Sequence, residues 1–91
     1  MGKQITPQQL EQLKKLRSSL TPLLSIDNKI GAVVHLKQLL KDVDMTSSFS
    51  SSLSTELIGL EVHREKYANI STITAIVDNA IKYYEEQLKA N

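Results

Sequence analysis

The chain has no cysteine and no tryptophan, and its 91 residues include only three glycines, two prolines, three tyrosines and one phenylalanine. Each scarcity excludes something. Without cysteine there is neither a disulfide scaffold nor a thiolate metal site. So little glycine and proline leaves a sheet protein short of turn chemistry. The aromatics are not interleaved with lysine or arginine, so a single-strand stacking platform has little support. Charge of one sign is also lacking: 11 basic residues face 10 acidic ones, a formal net charge of +1. That balance argues against the broad basic face of a phosphate-driven nucleic-acid binder. No apolar run approaches the roughly 18–20 residues of a membrane span; Ile30 to Val34 is among the longest. The opening Met-Gly-Lys-Gln has no apolar signal-peptide core. A small soluble domain of a reducing compartment is expected.

What is present is apolar spacing of helical period. Leu10, Leu13, Leu16, Leu20, Leu23 and Leu24 form one stripe, opened by Thr6 at an N-cap, Pro7 at the first helical position and Gln9 in a capping box. Pro22 should kink this helix or end it within a residue or two. Ser25-Ile26-Asp27-Asn28 interrupts the pattern and offers Asp27 or Asn28 as a cap for a second helix. That helix carries Ile30, Val33, Val34, Leu36, Leu39, Leu40 and Val43.

Residues 46–55 are rich in serine, a composition that favours disorder. Phe49, Leu53, Leu57 and Leu60 nevertheless keep a helical step through them. Serine costs only some tenths of a kcal/mol per helical position, which burial of such a stripe outweighs. A third helix is therefore expected from near Thr46 to about Lys66. After a short loop, Asn69 or Ser71 caps a fourth helix with Ile73, Ile76, Val77, Ala80, Ile81, Tyr84 and Leu88 inward. The expected fold is all-α: a compact right-handed bundle of four helices, or five if the first breaks at Pro22. It forms a single domain over residues 1–91, with residues 1–5 flexible and 89–91 frayed.

Sites of chemistry are scarce as well. His35 and His63 fall on separate helices without partners at ligand spacing, so no metal is expected. No phosphate loop, nucleophile elbow or His-Glu-x-x-His motif occurs. Glu85 and Glu86 point about 100° apart on their helix, a poor acid/base pair. Lys14, Lys15 and Arg17 are read as a solvated face. The chain is read as a non-enzyme with no cofactor.

Leu57-Ile58-Gly59-Leu60-Glu61-Val62-His63-Arg64-Glu65-Lys66 joins an Ile-Gly-x-x-Val step to basic residues, ahead of a final amphipathic helix. Together with Leu36-x-x-Leu39-Leu40 and Asp44-Met45-Thr46, it resembles the N-terminal domain superfamily of transcription elongation factor IIS, over roughly residues 10–88. Within that superfamily the chain is most similar to the integrase-binding domains of lens-epithelium-derived growth factor and the hepatoma-derived-growth-factor-related proteins. Leu24-Ser25-Ile26-Asp27-Asn28 looks like their first interhelical loop, and Ser54-Thr55-Glu56-Leu57-Ile58 like part of their third helix. Lys66-Tyr67 followed by Ile70 looks like their second loop. The path after Asp27 is shorter than in those domains, the step from Tyr67 to Ile70 is longer, and Gly59 fits the elongation-factor version better.

The resemblance implies a nuclear adaptor that docks short disordered motifs of transcription or chromatin proteins, often acidic with apolar anchors; no small molecule or membrane is expected as a partner, and the charge balance argues against nucleic acid for this domain. It implies a partner site of Ile26, Asp27, Asn28, Tyr67 and Ile70, rimmed by His63, Arg64 and Lys66. Read from the residues alone, Asp27 or Asn28 is a helix cap, Ile26 packs beneath it and Tyr67 closes the bundle. A carboxylate has two oxygens, so capping and binding are compatible. The adaptor is expected to be a monomer without its ligand; a self-associating helical domain is the alternative.

Overall fold

The computed structural model describes residues 5–21, 23–63 and 70–89. Thr6 opens the first helix, α1 (Pro7–Ser19), with its hydroxyl accepting from the Gln9 N–H while the Gln9 side chain accepts from the Thr6 N–H. Both bonds satisfy donors that a helix start leaves over. The end comes earlier than the leucine stripe suggests. Ser18 and Ser19 turn their hydroxyls back onto the carbonyls of Lys14 and Leu16, and Leu20 is already extended. Such back-bonding competes with helix propagation, and the residue before a proline disfavours helical torsions. Pro22 itself lies outside the described residues. The stripe therefore divides: Leu20 is buried beyond the helix, whereas Leu23 is 95% exposed.

Ser25, not Asp27 or Asn28, caps α2 (Ile26–Val43), its hydroxyl accepting from the Asn28 N–H at 3.2 Å. Asp27 falls instead in the first turn, where a carboxylate favours the positive end of the helix dipole. Val33, Leu36, Leu39, Leu40 and Val43 face inward, and Val34 stays largely outside. The Lys29 side chain is buried beside them.

A tight turn leads into α3 (Ser48–Val62). Asp44 accepts at one oxygen from both the hydroxyl and the N–H of Thr46, and the Ser47 N–H donates to the Asp44 carbonyl. Ser47 then caps α3 through the Ser50 N–H. The serine-rich segment is helical, as its stripe requires: Leu53 and Leu60 are buried and Phe49 and Leu57 pack against the core.

The fourth helix, α4 (Ser71–Lys89), starts with the Thr74 N–H donating to the Ile70 carbonyl. Ser71 is thus its first residue rather than its cap, and Asn69 lies outside the described residues. Ile73, Val77, Ala80 and Tyr84 make its buried stripe.

Cross-helix bonds give the directions. Arg17 grips Asp78 at 2.7 and 3.3 Å, Lys14 meets Glu85 at 3.1 Å, and the Ile5 N–H reaches Gln87 Oε1 at 3.4 Å. Numbers fall along α1 as they rise along α4, so the two are antiparallel. Lys14 and Arg17 belong to this seam rather than to an uninvolved solvated face. Ile5, expected in a flexible lead-in, is buried. At this same end of the bundle, where α4 finishes and α3 starts, Phe49 stands against Tyr83 and Tyr84, with ring centroids 5.8 and 6.1 Å away. With α1 against α2 and α4, and α3 against α2 and α4, the chain forms a four-helix bundle around one core.

Candidate functional site: one end of the bundle

Because α1 and α4 are antiparallel, the end of α1 and the start of α4 share one end of the bundle. Short connections place the start of α2 and the end of α3 there too. The first interhelical connection and the start of α4 are therefore neighbours, the arrangement a two-loop site requires.

The residues expected to form that site divide. Ile26 is half-buried and packs against the core. Asp27 and Asn28 are exposed. Ile70 presents no surface: it is 4% exposed and belongs to the core. The spacing gives the reason, since Ile70, Ile73 and Val77 continue the inward stripe of α4 by one turn toward its start. His63 is exposed and ends α3, its N–H donating to the Gly59 carbonyl at 2.8 Å. Arg64, Lys66 and Tyr67 lie outside the described residues.

Other apolar side chains stand in the open at this end. Leu23 projects from the α1–α2 connection, and Ile58 and Val62, one turn apart on α3, are 62% and 66% exposed. The core stripe of α3 runs through Phe49, Leu53, Leu57 and Leu60; Ile58 and Val62 are off it by one or two positions. That misfit was a signal in the sequence. Leu23 had none, because it fits the leucine spacing of α1.

The described residues hold no group of three or more His, Asp or Glu side chains suited to a metal ion. Among them no helix is long and apolar enough to cross a membrane. A cleft of about 290 Å³ opens on the side of the bundle between α1 and α2, with Leu16 and Leu39 in its lining and Gln12, His35, Gln38 and Asp42 around them. Gln38 donates to Asp42 at 2.9 Å across its rim. Its size falls just below the roughly 300–1,000 Å³ range of small-molecule sites.

No protein-family model, no curated protein and no solved structure matches the chain.

Proposed function

We propose that this domain is a non-enzymatic adaptor that docks short disordered motifs at the end of the bundle where α1 and α3 finish. The observation that carries this reading is the exposure of Leu23, Ile58 and Val62 at the same end as the Asp27 carboxylate. Exposed apolar side chains at the same end as a carboxylate acceptor suit a segment that brings one apolar anchor and its own main-chain N–H groups. Main-chain recognition fits a partner without fixed structure, since every sequence offers the same amides. A carboxylate accepting such bonds contributes on the order of 1.5–3 kcal/mol for each. The likeness to the elongation-factor and integrase-binding domains supports partners from transcription and chromatin proteins and a nuclear setting. His63, with Arg64 and Lys66 next in sequence, would draw acidic flanks and raise the on-rate.

The test is an amide-shift titration of labelled protein with a peptide carrying an acidic stretch and a Phe or Leu anchor. Shifts should gather at Leu23 to Asn28 and at Ile58 to His63. Asp27→Ala should weaken the peptide roughly 10–100-fold, about 1.4–2.8 kcal/mol, while the loss of a favourable dipole contact lowers stability by no more than about 1 kcal/mol. Unchanged affinity in that variant, or shifts confined to the α1–α2 cleft, would remove Asp27 and this end from the site.

A further inference from the structure

The outer face of α2 carries a line of exposed residues that stands outside the core. Asp27, Gly31, Val34, Gln38 and Lys41 recur at steps of four and three, and all are exposed. Gly31 is the odd member. A glycine inside a helix costs about 1 kcal/mol relative to alanine, and a Cβ placed there would meet nothing within 4 Å. Nothing inside the bundle calls for it. A glycine beside an exposed valine does allow another backbone to come close.

The charges on this line complement their own reversal. Asp27 and Lys41 stand seven residues either side of Val34, roughly 10 Å along the axis each way. Turning a second α2 about a two-fold axis at Val34 sets Val34 against Val34, Asp27 against Lys41 of the second copy, and Lys41 against its Asp27. One surface supplies both halves, as an isologous contact must. We infer that α2 mediates a weak antiparallel dimer, with Gly31 permitting the approach and the two Asp27–Lys41 pairs fixing the register. It is weak because one valine per chain, even with Ile58 and Val62 on the adjacent helix, covers much less than the roughly 1,200–2,000 Å² of a stable interface. This departs from the monomer expected of the free adaptor and does not rest on motif binding.

The test is sedimentation velocity of the full chain without peptide, at low salt, from about 10 μM to about 1 mM. The sedimentation coefficient should climb with concentration toward that of a dimer. Asp27→Lys and Lys41→Asp should each reduce association about tenfold or more, and the double variant should recover it. Recovery separates pairing from folding, because the double variant carries both charges at the wrong ends of α2 and has the least favourable helix dipole. Gly31→Gln should raise the melting temperature, since its side chain enters open space and favours helix, yet abolish the dimer. A chain monomeric throughout, a double variant no better than the singles, or a Gly31→Gln dimer as strong as the parent's would each overturn the proposal.

Discussion

Asp44 does two jobs in four residues of chain. Its backbone ends α2, with its N–H donating to the Leu40 carbonyl, and its side chain folds the turn into α3 by accepting twice from Thr46. The Thr46 hydroxyl, at 2.7 Å, and then the Thr46 N–H hold the Asp44 carboxyl below its ordinary value of 3.8. A depressed folded-state value means that the ionised form is the one bound in the native state. Its stabilising contribution is therefore complete above the unfolded value and is lost as pH falls through the folded one. Carboxyl-carbon titration should place the Asp44 midpoint below 3.8, and Thr46→Val should move it back upward by removing the hydroxyl while leaving the N–H. A midpoint unmoved by Thr46→Val would mean that the hydroxyl bond is not formed in solution.

At the scale of the element, α3 shows which kind of evidence in a sequence outweighs another. Composition favoured a linker and spacing favoured a helix; spacing prevailed because Leu53 and Leu60 are withdrawn from water entirely. Ser47 makes the start of this helix more than a local matter. It is buried and caps the Ser50 N–H, and it faces Tyr84, whose hydroxyl burial raises above its usual pKa while the Ser47 side chain draws it down. Ser47→Ala should cost toward the upper part of the roughly 0.5–2 kcal/mol range of cap removals, because the Ser50 N–H it satisfies is buried and has no water to replace the lost acceptor. Urea unfolding measures this, and a loss below the range would make the cap dispensable. The capping box of α1 and the inward stripe of α4 were legible for the same reason as α3: local donors and periodic burial are written in neighbouring residues. The end of α1 was not, because Ser18 and Ser19 have two uses for their hydroxyls and only the fold chooses between them. The cap of α2 was obscured by three residues of similar propensity within four positions, Ser25, Asp27 and Asn28. Of the candidate site, the shared end of the bundle and the exposure of Asp27 followed from helix count and polarity. The burial of Ile70 required carrying the stripe of α4 one turn past its cap.

Over the whole molecule, the end of the bundle and the outer face of α2 meet at one residue. Asp27 is proposed as the acceptor for a motif's main chain and as the partner of Lys41 in a second copy, and it begins the helix that carries the seam. Two ligands drawing on one carboxylate are linked, and linkage of binding free energies is reciprocal. Whatever factor the motif peptide takes from the dimer constant, dimerisation must take from the peptide constant. At a protein concentration where dimer is populated, a peptide with an acidic stretch and a Phe anchor should lower the sedimentation coefficient toward the monomer's. Its apparent Kd, read by amide shifts, should rise as protein concentration rises. Asp27→Ala should weaken both equilibria. Gly31→Gln, which leaves Asp27 in place, should remove the concentration dependence and restore the tighter peptide constant of the monomer. A stable complex of two chains with peptide bound to each would break the link and assign Asp27 to one surface alone.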